Sequence, residues 1–377
     1  MIGAKIPLFR LFGFQINIDF SWFLLAVLIT WSLAAGLFPS LHEGFDTTTY
    51  WVMGVAGALG LFASIILHEL GHALVARRYG VQMGGITLFI FGGVAEMNDE
   101  PPGPIAELFI AIAGPIVSLL LGVLALLVSM LETTLGLPAP VAGVIAYLGW
   151  VNTLLVVFNC IPAFPLDGGR VLRAILWRRR GDLRSATKIT ADIGAAFGIV
   201  LISLGVFSAL LGNLIGGVWW FLLGMFLRGA AQMSYRQVVF RRALEGERVS
   251  HFMRHDPVTV DPDLSIRDLV EDVLYTHQYK LYPVVDSHAD LRGCVTLDAV
   301  KDLPREQWDD HRVEDILMPC SDANTIDPDA DAMDALTRLN TNDTTRLMVV
   351  RDGTLVGMLA LRDLLGFLSM KIDLEGN

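Results

Sequence analysis

Six long apolar stretches occupy the first 240 residues of the chain, and their lengths indicate the fold class. They run at about 18–39, 52–76, 104–130, 139–162, 188–211 and 214–233. An α-helix needs roughly 20 apolar residues to cross the hydrocarbon core of a bilayer. The pattern therefore predicts an α-helical polytopic membrane domain with about six transmembrane helices.

A seventh apolar piece, GGITLFIFGGVAEM at 84–97, is too short to cross a bilayer. Its glycine pairs and its β-branched and aromatic centre favour two short strands. We expect a re-entrant β-hairpin, because irregular backbone is tolerated at membrane depth only where protein or a water-filled cavity covers it.

Lysine and arginine lie on one side of the membrane in this six-span arrangement. The connections near 40–51, 131–138 and 212–213 contain neither residue, whereas the termini and the other connections carry all of them. Cytoplasmic segments are enriched in basic residues. We therefore expect a multi-pass protein of the cell membrane, embedded in the lipid bilayer, with both termini in the cytoplasm.

The pattern changes after the sixth stretch. Residues 233–248 form a basic segment typical of a juxtamembrane linker helix, and residues 249–377 alternate strand-length and helical patterns. This last part repeats itself, with one copy at 249–305 and the other at 313–370. The predicted organisation is a membrane domain (1–232), a linker (233–248) and an α/β module of two repeats (249–377).

Composition and charge agree with this division. The chain is 53% hydrophobic and 18% charged, and its net charge of −11 comes mainly from the C-terminal module. An acidic soluble part argues against a nucleic-acid partner, which would require a basic surface. Three widely separated cysteines predict neither a disulfide framework nor a cysteine metal site.

The second span ends with the candidate chemistry, in IILHELGHALVARRYG at 65–80. His68 and His72 lie one helical turn apart on one face, the spacing at which two imidazoles hold one zinc ion. Glu69 lies beside them, where its carboxylate can take a proton from water. The alternative is a pair of buried histidines hydrogen-bonded to backbone, but ionisable residues inside a span usually serve function.

A third ligand is needed, because catalytic zinc usually has three protein ligands and an open position. Asp167 in FNCIPAFPLDGGR is the best candidate, since Pro162 and Pro165 interrupt the preceding helix and two glycines follow. Asp167 either turns towards the metal or caps a helix or turn, and spacing leaves both open.

HELGH in the second span, together with NCIPAFPLDGG after the fourth, resembles the site-2 protease family of intramembrane zinc metalloproteases. The resemblance implies that one zinc ion per chain is bound by His68, His72 and Asp167, and that Glu69 is the catalytic base. It gives Asn159 a catalytic role, in holding the substrate or stabilising charge. The alternative for Asn159 is a polar helix end bonded to backbone.

FGGVAEM also resembles the glycine-pair loop that lies near the active site in this family. Gly92 and Gly93 are thus expected in a hairpin that admits the substrate as an added strand; the alternative is a plug within the bundle. Gly114 and Pro115 in the third span are expected to serve helix packing.

The two C-terminal repeats resemble cystathionine-β-synthase (CBS) domains, which form pairs, are often dimeric and in many cases bind adenine nucleotides. ATP or AMP would contact Thr296 and Asp298 in the first repeat or Asp363 in the second. Ala299 replaces the ribose-binding aspartate of the first, and Ala360 replaces the hydroxyl residue of the second, so Asp363 marks the better cleft. A purely structural or dimerising role remains the alternative.

The sequence predicts an intramembrane zinc metalloprotease that cleaves peptide bonds within or near transmembrane segments of membrane-protein substrates. A cytoplasmic CBS pair would regulate it through adenine nucleotides or through homodimer formation. The alternative is a CBS-gated metal or ion transporter that uses the intramembrane His, Glu and Asp cluster as a permeation site.

Overall fold

The structure is a computed structural model that describes residues 5–97, 100–244, 246–288, 290–342 and 344–375. It divides into two compact units that meet between Arg236 and Gln237. The first is mainly helical and the second mixes helices and strands, as the sequence predicts.

Six helices of the described chain are long and apolar enough to cross a membrane, which confirms the predicted number of spans. They are α1 (Phe20–Ser32, extended through Leu33–Leu37 and Phe38–Leu41), α2 (Thr47–Arg78), α3 (Pro104–Met130), α4 (Ala139–Asn159), α6 (Leu183–Leu210) and α7 (Leu214–Leu244). The shorter α5 (Asp167–Arg180) lies between the fourth and fifth spans.

Span boundaries follow local capping and helix-breaking residues. Asp19 and Asp46 cap the first two spans with their side chains, accepting hydrogen bonds from the backbone N–H groups of Ser21 and Thr49. The fourth span stops at Asn159, three residues earlier than expected. Helix α7 contains the sixth span and continues into the predicted linker (233–248) as far as Leu244.

The predicted hairpin is present, but it belongs to a larger sheet. Its strands β3 (Met83–Phe89) and β4 (Gly92–Met97) are joined by β1 (Lys5–Leu11) and β2 (Phe14–Asp19), which the sequence analysis missed. The order is β1-β2-β3-β4, with β2 and β3 parallel and the other pairs antiparallel. Phe14, Ile16 and Ile86 of the sheet pack against Leu70 and Ala73, so the sheet lies on the histidine-bearing end of α2.

The second unit contains two similar α/β repeats. The first has β5 (Leu281–Val285), β6 (Leu291–Thr296), α8 (Leu297–Lys301) and a helical stretch of Ile266–Asp268, Leu269–Leu274 and Tyr275–His277. The second has β7 (Thr325–Ile326), α9 (Ala332–Thr341), β8 (Arg346–Arg351), β9 (Thr354–Ala360) and α10 (Leu361–Glu375). Single helical turns lie at Val249–His251, Arg305–Gln307 and Val313–Ile316 in this unit, and at Glu132–Leu135 in the first unit.

Each repeat exchanges its first segment with the other. Val249 and Phe252 pack in the core of the second repeat, while Val313 packs in the core of the first. Arg254 pairs with Met358 of β9, and Met318 pairs with Cys294 of β6. The two repeats are therefore one interlocked module.

Candidate metal centre

His68, His72 and Asp167 come together inside the first unit. The Nε2 atoms of the two imidazoles are 3.2 Å apart, and Oδ2 of Asp167 lies 3.1 Å from that of His68 and 3.2 Å from that of His72. All three side chains are buried, with residue exposures of 4–8%. These are the three residues that the sequence places at a metal.

The donor set suits a zinc ion. Ligands held at 2.0–2.1 Å in tetrahedral geometry lie about 3.3 Å from one another, close to the spacing found here. The carbonyl of Ile110 accepts a hydrogen bond from Nδ1 of His72 at 2.7 Å, so Nε2 of His72 presents a lone pair to the cluster. A lone pair facing a carboxylate oxygen and a second imidazole nitrogen, away from water, requires a cation or proton between them.

The local chain path explains how Asp167 reaches the histidines. The fourth span ends at Asn159, and the segment Cys160–Leu166, with a cis Phe164–Pro165 bond, leads directly into α5. Asp167 is the first residue of α5, and the N-cap position is taken by Leu166, which makes no side-chain capping bond. The capping alternative is therefore wrong, because the carboxylate points to the imidazoles.

Helix α3 supplies the surroundings that hold the imidazoles in place. Oγ of Ser118 lies 2.9 Å from Nδ1 of His68, and the Ile110 carbonyl lies 2.7 Å from Nδ1 of His72. Gly114 lies between them, and a Cβ atom there would be 2.6 Å from Nε2 of His68 and nearer still to that of His72. Gly114 thus has a role at the centre that the sequence analysis assigned to helix packing.

Glu69 lies on the sheet side of the centre. Its side chain is half-buried, and a Cβ atom on Gly93 of β4 would lie 2.8 Å from its Cγ. Gly93 pairs with Leu88 and Gly92 with Phe89, so both glycines stand at the closed end of the hairpin. The hairpin is thus in direct contact with the expected base.

Asn159 is the last residue of the fourth span. Its side chain is half-buried and, within the described part of the chain, makes no hydrogen bond. The structure therefore does not show the backbone-bonded alternative, and the carboxamide is free to bind another group.

Comparisons with known proteins identify the families to which the two units are similar. Residues 56–136 and 137–201 match peptidase family M50, and residues 249–305 and 313–370 match the CBS domain. Rip3 of Mycobacterium tuberculosis, which is named as a zinc metalloprotease, is 35% identical over 95% of this chain and 91% of that protein. A zinc metalloprotease of Methanocaldococcus jannaschii is 32% identical over 98% of this chain and 97% of its own.

The chain belongs to peptidase family M50. A solved site-2 protease from Methanocaldococcus jannaschii is 34% identical, with 61% of this chain and 94% of that chain covered and a TM-score of 0.43. This M50 peptidase is a multi-pass membrane zinc metalloprotease of the site-2 type with a tandem CBS module. The transporter alternative is thereby set aside.

The CBS module of this M50 peptidase places the predicted nucleotide residues in different surroundings. Oγ of Thr296 accepts a hydrogen bond from the N–H of Ala299 and so caps α8, while Asp298 is exposed and paired with Lys301 at 2.9 Å. Asp363 is paired with Arg254 at 3.0 Å and borders an open cleft of about 620 Å³. The cleft is lined by His251, Phe252, Arg254, Arg362, Asp363, Gly366, Phe367 and Met370.

Proposed function

We propose that this M50 peptidase cleaves peptide bonds within or near transmembrane segments of membrane proteins, with one zinc ion held by His68, His72 and Asp167. The observation that carries this proposal is the convergence of three buried ligand atoms within 3.2 Å of one another. Glu69 follows the first of these ligands on the same helix.

The residues around the metal divide the chemistry among them. A bound zinc ion supplies a Lewis acid that acidifies water and polarises a peptide carbonyl. Glu69 takes the proton of the attacking water and delivers it to the leaving amide nitrogen. The free carboxamide of Asn159 donates a hydrogen bond to the carbonyl oxygen as negative charge develops there.

A transmembrane helix must unwind before it is cleaved, because its amides are shielded by their own hydrogen bonds. Strand β4 is an edge strand of the sheet as described, and its edge can pair with an extended segment. Gly92 has open space where a side chain would lie, while the missing side chain of Gly93 lets strand β4 approach Glu69 closely. The contact between Gly93 and Glu69 supports this placement of the substrate over the plug alternative.

The decisive test compares Glu69→Gln with wild type on a model transmembrane peptide in detergent micelles. We expect cleavage to fall by about 10²–10⁴-fold, as when a general base is removed, while zinc content stays at one ion per chain. Glu132→Gln, an exposed position, is the matched control and should cleave normally. Full cleavage by Glu69→Gln, or by metal-free wild type, contradicts the proposal.

For the CBS module we propose adenine-nucleotide binding in the cleft beside Asp363, with the ribose on its carboxylate. Arg254, which holds that carboxylate, also lines the cleft, and its guanidinium would bind the phosphates. Asp363→Asn should weaken the binding of ATP or AMP at least about tenfold in equilibrium dialysis, since a charged hydrogen-bond partner is lost. Asp352→Asn, in the exposed β8–β9 turn, is the control; equal binding by both variants contradicts the assignment.

We further propose that the termini and the CBS module are cytoplasmic and that the module forms a homodimer. Cys320 is exposed in that module, so a membrane-impermeant maleimide should label it only after the cytoplasmic face is opened. Labelling of Cys320 in intact cells would show that the module lies on the opposite side of the membrane. A monomeric mass of the full chain in detergent would contradict the dimer.

A further inference from the structure

A buried ion pair joins two of the helices that build the metal centre. Glu107 lies in the first turn of α3 and is fully buried, and Arg173 of α5 is 8% exposed. Nε of Arg173 donates to Oε1 of Glu107 at 2.6 Å, and Nη2 donates to the same oxygen. The guanidinium carbon also lies 5.0 Å from the ring centre of Phe164.

Burial makes this pair costly as a simple tether. The desolvation free energy of two buried charges is offset only when the charges are close and well oriented. Apolar side chains of similar volume often stabilise a helix pair as well or better. The charged pair adds a fixed orientation between the helices, because the N–H groups of a planar guanidinium donate only within a restricted set of angles. The pair is therefore suited to fixing how α5 is placed on α3.

Helix α3 holds the two imidazoles that α2 carries, and α5 carries the third ligand. Ile110, one turn after Glu107, and Ser118 fix the two imidazoles from α3. Asp167 is supplied by α5, six residues before Arg173. The contact of Arg173 with the Phe164 ring also fixes the segment that leads into Asp167.

We propose that the Glu107–Arg173 pair is a positioning device that sets the carboxylate of Asp167 against the imidazoles of His68 and His72. The inference rests on the proposed zinc site and adds two residues to it. Neither side chain reaches the ligand atoms; both act through the helices that carry them.

The test is the zinc dissociation constant of the full-length protein in detergent, measured by competition with a chelator after metal removal. Arg173→Met should weaken binding at least about tenfold, the range seen when outer partners of metal ligands are removed. Arg173→Lys should recover part of the loss. Arg179→Met, an exposed position on the same helix, should bind as wild type does.

A double variant separates positioning from plain stability. Arg173→Met alone leaves a buried unpaired carboxylate and will unfold more easily. Glu107→Leu with Arg173→Met removes both charges, so its thermal midpoint without metal should return close to that of wild type. We expect its zinc affinity to remain at least about tenfold weaker; recovery of affinity together with the midpoint overturns the proposal.

A further variant distinguishes failure of this inference from failure of the zinc site itself. Asp167→Ala should lose tight zinc binding in the same assay. If Asp167→Ala binds zinc as wild type does, the proposed ligand set is wrong and the positioning role falls with it. If Asp167→Ala loses zinc while Arg173→Met does not, only the positioning role is wrong.

Discussion

At the scale of single residues, the metal centre depends on side chains that bind no metal. Each imidazole uses one nitrogen for the cluster and the other for a partner on α3, Ser118 or the carbonyl of Ile110. Such partners fix the ring orientation and the tautomer, and they raise the basicity of the ligating nitrogen. The absence of a side chain at Gly114 leaves the space in which the two rings meet.

Gly114→Ala should therefore damage the centre while the bundle stays folded. Its Cβ would lie within 2.6 Å of ring atoms of both histidines, so the rings must turn away from Asp167. We expect zinc affinity to fall at least about tenfold, with a matching loss of cleavage. Gly122→Ala, two turns along the same helix with 3.3 Å to its nearest neighbour, is the control; wild-type zinc binding by Gly114→Ala contradicts this account.

The sequence could predict the residues whose pattern is local. His68, Glu69 and His72 follow from their spacing on one helix. Asp167 is assigned as the third ligand by the resemblance of NCIPAFPLDGG to the family motif. Ser118 and Gly114 could not be predicted in the same way, because they lie far along the chain, on another helix, from the histidines that they contact. A glycine or serine in an apolar span signals close packing, but it does not name the partner.

At the scale of elements, the fifth span is tied to the Cys160–Leu166 loop, which leads directly into the third ligand. The N–H of Phe164 lies 3.4 Å from the carbonyl of Thr190 in α6, and Gly194 faces the carbonyl of Phe164 with no room for a Cβ atom. The loop is thus clamped between α6 and the start of α5. Hydropathy predicted α6 as a span, but not this contact, because hydropathy does not report which face meets which neighbour.

Gly194→Ala should loosen that clamp. An added Cβ would press on the Phe164 carbonyl and force the backbone apart, which costs about 1–3 kcal/mol for overpacking. We expect a lower thermal midpoint and weaker cleavage, since Asp167 follows the displaced loop. Gly229→Ala on α7, with open space around it, should change neither property; an unchanged midpoint and unchanged cleavage in Gly194→Ala would refute the clamp.

The N-terminal strands show a limit of pattern reading at this scale. KIPLFRL is exposed along almost its whole length and shows no alternation of apolar and polar residues. FQINID does alternate them, a strand signal that went unread because the segment is only six residues long and runs into the first apolar span. Their strand character comes from pairing with each other and with β3, more than 60 residues away. The hairpin at β3 and β4 was predictable because its signals are local.

At the scale of the whole molecule, the chain combines a membrane unit and an interlocked pair of repeats. The sequence repeat predicted two copies but not their exchange of first segments, since each segment fits either copy by pattern alone. Cys294, Leu281, Met348 and Met358 form a shared apolar cluster between the sheets of the two repeats. Assembly of the pair therefore depends on this cluster.

The reactivity of Cys294 should report that assembly. Burial raises the pKa of the Cys294 thiol to about 11, so very little of it is thiolate at pH 7.5. The thiolate fraction rises about tenfold for each pH unit until the pH approaches that pKa. Iodoacetamide should modify the exposed Cys320 first, and Cys294 only after the module unfolds. Peptide mass spectrometry measures both sites; equal rates in the native protein would show that the cluster is open.

The zinc-edge X-ray absorption spectrum of the purified full-length protein tests the central claim most directly. The account predicts one zinc per chain with only nitrogen and oxygen neighbours at about 2.0–2.2 Å, two of them imidazoles. Loss of this signal in Asp167→Ala would accompany loss of tight binding. A sulfur neighbour at about 2.3 Å, a third imidazole, or active protein without zinc would contradict it.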